Sequence, residues 1–297
     1  MPERLTLDAL NQVSATDFAA ALGNICEHSP WIAEAVAQAR PFANLAALRD
    51  AMVGLIEAAG PEQRLALIRA HPDLADLVRH EPGKLTAESA AEQNGAGLHL
   101  LSEAEFAAFA GLNGAYHEKF GFPFILAIRR HTKDSILDMF ERRLVNSPEQ
   151  EQAEAIGEIS RIVGLRLAMF VDGDDTMGVH GRLSTQVTDK HGDQPADGVL
   201  VELIERSRRG ENRTLVKTAT NADGRTDAAL IEGRPLPIGM YELHFHVGAY
   251  YTRRGLTLAE PAFFDIVTVR FGVAEPEAQL HVPLMITPRG YSAGWES

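Results

Sequence analysis

An excess of positive charge is missing from this chain: 28 Lys and Arg stand against 41 Asp and Glu, a formal net charge of −13 at pH 7. Nucleic-acid surfaces and polybasic membrane contacts both need clustered positive charge, so neither partner is expected and small-molecule chemistry is favoured. Cysteine is nearly absent too. Cys26 stands alone in the sequence, can form no internal disulfide and has no metal-ligand spacing around it. That points to a reducing compartment and to a small buried apolar group at that position. The chain also lacks any run of about 18 apolar residues, and its N-terminal MPERLTLDALNQ is charged and amphipathic where a signal core would be apolar. From these absences a cytoplasmic protein is expected.

What is present suffices for two cores: 297 residues, 45% of them hydrophobic. Over residues 1–172 the apolar positions recur at steps of three and four, as in Leu45, Leu48, Met52, Leu55 and Ile56. That period predicts helices. Ser29 before Pro30, Ser102 with Glu105, and Ser147-Pro148 with Gln150 read as helix starts, while Gly60 and Gly121 read as helix stops. Roughly seven to nine helices are expected with ordinary loop lengths, so this half is all-α.

Residues 171–181, VDGDDTMGVHG, have the composition of a connection, and we set the linker at 173–181. Beyond it the period changes to two. Val199, Val201 and Leu203 alternate with polar residues, as do Tyr241, Leu243, Phe245 and Val247, and turns are expected at Asn221–Arg225 and Pro237–Gly239. Several short strands in residues 182–297 predict a β-sandwich that starts at LSTQVTD.

Some polar residues stand where apolar ones belong. A long helix from about 148 to 171 puts Ile159, Ile162, Val163 and Phe170 on one face, with Arg166 at the centre of that stripe. An inward arginine needs an anion or an outward path for its guanidinium. In LTAESAAEQN (85–94), Thr86 can cap a helix, after which Ser89, Glu92 and Gln93 share one face, either as converging ligands or as a solvated surface. Because Pro72 follows it, His71 should end its helix and carry its imidazole at the terminus, a place suited to proton transfer as well as to an ordinary capping histidine. KFGFPFI (119–125) is a tight apolar turn, by default core, whose backbone amides are candidates for ligand contact. His244, His246 and His281 can be drawn as a three-histidine metal site, but no carboxylate or cysteine spacing supports one, so no metal is expected. Tyr250-Tyr251 with Arg253-Arg254 is too short to be a nucleic-acid footprint.

Taken in order, His71-Pro-Asp-Leu74, LTAESAAEQNGAGL, Asn113-Gly-Ala-Tyr116 with KFGFPFI, and LRL at 165–167 resemble the OHCU decarboxylase family, which converts 2-oxo-4-hydroxy-4-carboxy-5-ureidoimidazoline (OHCU) to (S)-allantoin. The resemblance implies a cofactor-free decarboxylase with His71 and Glu92 as catalytic groups. It further implies that Ser89, Gln93 and Arg166 bind substrate, helped by the backbone amides of Phe124 and Ile125. Departure of CO2 leaves charge that the adjacent ring C=N can delocalise, so a positioned acid/base suffices. His71 would manage the proton on the substrate hydroxyl or the ring carbon, Glu92 would orient His71 or bind ureido nitrogens, and Arg166 would bind the imidazoline edge.

Residues 182–297 are similar to the transthyretin-related 5-hydroxyisourate hydrolases through LSTQVTD, Gly192–Ala196, Thr220–Arg225, Gly239–Tyr241, His281–Leu284 and Pro288–Ser292. The resemblance implies a transthyretin-like sandwich in which Arg225 and His281 are catalytic and Gln186 and Ser297 contact substrate. Two positions depart from that family. Gln186 stands where it has histidine, and the ending Gly294-Trp-Glu-Ser297 stands where it has Tyr-Arg-Gly-Ser. An amide holds water by hydrogen bonds but is no general base near neutral pH. Two readings follow: a bifunctional enzyme of urate degradation, or a decarboxylase fused to a catalytically silent binding or assembly module. The resemblances further imply ureide substrates and a homo-oligomer, tetrameric through the β domain, with dimerisation through the helical domain as a second contact.

Overall fold

The computed structural model describes residues 5–26, 28–74, 98, 101–173 and 176–296, and the chain divides into two compact units, Met1–Val179 and His180–Ser297. In the first unit the described helices are α1 (Leu7–Gln12), α2 (Ala15–Leu22), α3 (Pro30–Val36), α4 (Leu45–Ala58), α5 (Pro61–Ala70), α6 (Glu103–Phe120), α7 (Lys133–Arg143) and α8 (Pro148–Phe170). A short parallel pairing of β1 (Leu5–Thr6) with β2 (Val171–Asp172) ties the two ends of the unit together, a detail helical periodicity does not announce.

The helix starts form as their side chains dictate. Ser102 and Ser147 each accept the N3 amide while Glu105 and Gln150 reach back, completing two capping boxes. Ser29 precedes Pro30 at the start of α3 but makes no side-chain cap hydrogen bond. Gly121 ends α6 at φ 70°, a left-handed turn in which glycine carries no Cβ penalty. Gly60, expected as a stop, instead opens α5 as its N-cap, because α4 has already ended at Ala58. Helices α4 and α8 pack together. Leu48, Met52 and Ile56 from the first, and Ile159 and Val163 from the second, are all fully buried, each contributing about 1.5–3 kcal/mol of burial.

Residues just after β2, read from composition as a connection, are held to α4. Ala46 donates its amide to Thr176 Oγ1, Arg49 Nη1 donates to the Met177 carbonyl, and Met177 itself is buried. No helix among the described residues is long and apolar enough to cross a membrane.

The second unit is a sandwich of two sheets. One holds β3 (Gly181–Asp189), β4 (Gln194–Pro195), β7 (Ile231–Arg234), β10 (Gln279–Thr287) and β11 (Gly290–Ala293), in the order β11-β10-β3-β4 with β7 also on β3; the other runs β6 (Arg213–Ala219), β5 (Leu200–Arg206), β8 (Gly239–His246), β9 (Ile266–Val273). β3 and β10 are parallel, the remaining pairs antiparallel. Val201, Leu203, Tyr241, Leu243 and Phe245 are fully buried between the sheets, as the alternation requires. Helix α9 (Val247–Arg253) follows β8, and its Tyr250 and Tyr251 donate their phenols to buried Asp189 at 3.1 and 2.8 Å. Those buried tyrosines anchor the end of β3 inside the core.

Candidate active sites

In the helical unit His71 is the C-cap of α5, with extended backbone angles (φ −74°, ψ 144°) of the kind the following proline imposes. The ring is 7% exposed, and its Nδ1 donates to the Leu67 carbonyl at 2.9 Å. That bond fixes a proton on Nδ1, so that in the neutral ring the lone pair lies on Nε2, the tautomer a proton acceptor at that atom needs. Two residues on, Asp73 bonds His117 of α6 and fixes the loop against that helix. One turn earlier on α6, Asn113 is buried with its Oδ1 lacking a hydrogen-bond partner among the described residues. Its spacing from Phe109 and Tyr116 marks it as a polar group on the apolar face, a signal readable in the sequence.

Phe124 and Ile125 form a buried turn held from below. The Arg143 guanidinium lies 4.5 Å from the Phe124 ring centroid and donates to the Ile125 carbonyl at 2.6 Å, and Phe140 stacks on the same ring at 3.7 Å. Arg143 is fully buried and paired with Glu151 (Nε to Oε1, 2.7 Å), which also accepts from Tyr116 at 2.6 Å and from Asn146 at 2.8 Å. With the turn fixed through its side chain and carbonyl, the amides of Phe124 and Ile125 make no hydrogen bond to another described residue. Nearby, Ala127 donates its amide to Glu158 at 2.8 Å. None of these supporting carboxylates was singled out by sequence reasoning, since their partners lie on other elements.

Arg166, at the centre of the α8 stripe, is 2% exposed and donates to the carbonyls of Asn24 and Ile25 at 3.3 and 3.4 Å. Cys26 beside it is buried, and burial pushes its thiol up to about 12 although the guanidinium pulls the other way. The residue is therefore an inert thiol in the wall. Ser89, Glu92 and Gln93, and the helix that Thr86 would cap, lie outside the described residues, as does Ser297.

In the β unit the strand register brings the expected residues together. Ser184 of β3 lies directly beside His281 of β10, and its Oγ is 2.9 Å from the imidazole Nδ1. Gln186, one step along the same face, bridges Arg225 and donates to the Asp223 carbonyl at 3.0 Å. The loop carrying Arg225 comes so close to β3 that a Cβ on Gly224 would sit 2.3 Å from the Val187 carbonyl, and Gly224 has φ +70°. Only glycine allows that approach. Burial, then the Arg225 charge, hold the His281 pKa below the usual imidazole value, with Glu296 acting in the opposite direction. The ring is therefore neutral and able to accept a proton near pH 7. His244 and His246 lie in the other sheet, where Glu242 and Glu202 bond them at 3.0 and 3.3 Å. No group of three or more metal-ligating side chains occurs among the described residues.

Comparison with known proteins divides along the same line. The family described as OHCU decarboxylase matches residues 11–168, and the HIUase/Transthyretin family matches residues 183–293. A 2-oxo-4-hydroxy-4-carboxy-5-ureidoimidazoline decarboxylase of Haloferax volcanii is 42% identical over 164 residues, 55% of this chain and 95% of that protein. The 5-hydroxyisourate hydrolase 2 of Rhizobium meliloti is 43% identical over 117 residues, 39% of this chain and 96% of that one. A crystal structure of (S)-allantoin synthase covers 99% of this chain and 100% of its own at 30% identity, with a TM-score of 0.53.

Proposed function

Because this chain belongs to the OHCU decarboxylase family and continues into a HIUase/Transthyretin domain, we propose that it performs two successive steps of urate degradation. The β domain, assigned to residues 182–297, opens the ring of 5-hydroxyisourate. The helical domain, assigned to residues 1–172, decarboxylates the OHCU that results and yields (S)-allantoin. The observation that carries this reading is the end-to-end likeness to an (S)-allantoin synthase, with an active-site histidine candidate in each unit.

In the decarboxylation, His71 moves the proton through Nε2, the atom left as acceptor by the bond from Nδ1 to Leu67. Arg166 binds the polar edge of the imidazoline, and its buried setting favours loss of the substrate carboxylate's charge into CO2. The Phe124 and Ile125 amides supply donors from the turn that Arg143 secures. Glu92, Ser89 and Gln93 complete the substrate contacts on the strength of the family resemblance. In the hydrolysis, His281 takes a proton from water as the oxygen bonds the ring carbonyl carbon. The C–N bond then breaks and its nitrogen receives the proton. Arg225 holds the developing negative charge, while the Gln186 amide and Ser297 contact the substrate. Copies of the chain assemble through the β domain as a tetramer, with a further dimer contact through the helical domain, and work in the cytoplasm.

The test uses the full chain. His71→Ala should stop consumption of OHCU and leave 5-hydroxyisourate consumption intact, and His281→Ala should do the reverse. Undiminished OHCU turnover in His71→Ala would remove the helical-site assignment.

A further inference from the structure

Two departures in the β unit meet at one place. Gln186 removes an imidazole from the outer face of β3, and the C-terminal tail introduces a carboxylate, Glu296, where the related hydrolases have glycine. After β11 the tail keeps the register of that strand along β10: Gly294 donates its amide to the Pro283 carbonyl, and His281 and Glu296 exchange both backbone hydrogen bonds at 2.9 Å. Residues paired this way in antiparallel strands have Cα atoms about 5.5 Å apart and side chains on the same face. Glu296 therefore flanks His281 from one side while Ser184 flanks it from the other. Trp295 points to the opposite face by alternation, where it lines a cavity of about 690 Å³ with Phe271, Leu280 and Val282.

We propose that Glu296 is the positioning residue of the hydrolase site: its carboxylate supports His281 as the sole general base, in compensation for the histidine that Gln186 replaces. The proposal rests on the hydrolase reading given above. The charges facing His281 are Arg225 from the loop on β3, Arg182 from β3 itself and Glu296 from the tail, and among them only Glu296 favours the imidazolium that forms when His281 takes the proton from water. Ser184 completes the arrangement. Its oxygen has two lone pairs, accepts from Arg182 Nη1 at 3.4 Å, and can accept from the His281 Nδ1–H as well, which leaves Nε2 as the basic atom. The proton moves from water to Nε2 and onward to the leaving ring nitrogen, so no other reactant is needed.

The experiment follows 5-hydroxyisourate consumption by the full chain across pH, with OHCU turnover in the same samples as the control for folding. Glu296→Gln should lower the plateau rate about three- to tenfold and move the acid limb of the profile to lower pH, because His281 loses the anion that favours its protonated form, while OHCU turnover is unchanged. Adding Gln186→His to that variant should raise the plateau again. An unshifted acid limb in Glu296→Gln, or no recovery on adding the histidine, would overturn the role of Glu296 and leave the hydrolase assignment standing. Consumption by the native chain at the buffer rate would instead overturn the hydrolase reading, and the proposal with it.

Discussion

In the helical unit His71 and the Phe124 turn sit at a helix end and in a loop, so each is held by hydrogen bonds around it: the Leu67 carbonyl of its own helix and the Asp73–His117 contact with α6 for the first segment, buried Arg143 and Glu151 from α7 and α8 for the second. In the β unit Ser184, Gln186, His281 and Glu296 are placed by strand register on one face of one sheet, and only Arg225 arrives on a loop. The first construction withdraws its groups from water, as a decarboxylation benefits from desolvation, and needs an ionic scaffold beneath them. The second buries Ser184 but leaves Gln186, His281 and Glu296 accessible to water, the second reactant of a hydrolysis.

The largest effect that separates the two constructions should come from Glu151→Ala. It leaves Arg143 buried without its carboxylate, and a broken buried pair costs about 3–5 kcal/mol. Thermal unfolding should show the helical unit melting earlier with OHCU turnover lost, while 5-hydroxyisourate consumption at room temperature persists. Equal loss of both activities would show that the units are not independent. Next in size is Gly224→Ala, which strains a positive-φ position by about 1–3 kcal/mol and pushes the Arg225 loop off β3. Here 5-hydroxyisourate consumption should fall and OHCU turnover should hold, and an unaffected hydrolase rate would show that Arg225 needs no close approach.

A third effect is a pH dependence in the helical unit, absent near neutral pH and growing only as the solution is acidified. Burial first, then Arg130 and its neighbouring arginines, hold the pKa of His131 at about 3, against an ordinary 6.5. Between those values the unfolded chain binds the extra proton, so this contribution is fully present above pH 6.5 and is lost as pH falls toward 3. The slope is about 1.4 kcal/mol per pH unit inside the window. Denaturant titrations at several acidic pH values should show that His131→Gln flattens this dependence.

Legibility in the sequence follows the same contrast. Capping boxes at Ser102 and Ser147, the left-handed Gly121, the inward Arg166 and the alternation around Tyr241 are local patterns, and the structure reproduces them. His71 was readable because Pro72 restricts its backbone. Gly60 was misjudged because a glycine between helices serves either neighbour, and here the following proline claims it for α5. Arg143, Glu151 and Glu158 were not readable, since what joins each to the turn is proximity between different helices. Likewise nothing in LSTQVTDKHG announces that its Asp189 receives two phenols from a helix about sixty residues later. Glu296 belongs to the ending that departs from the hydrolase family, and its place opposite His281 follows only from the register of the tail.

The most direct measurement supplies freshly generated 5-hydroxyisourate to the full chain and follows its absorbance together with the optical activity of the product. Two coupled activities predict decay faster than buffer and accumulation of (S)-allantoin. Decay at the buffer rate, or a racemic product, would contradict the account.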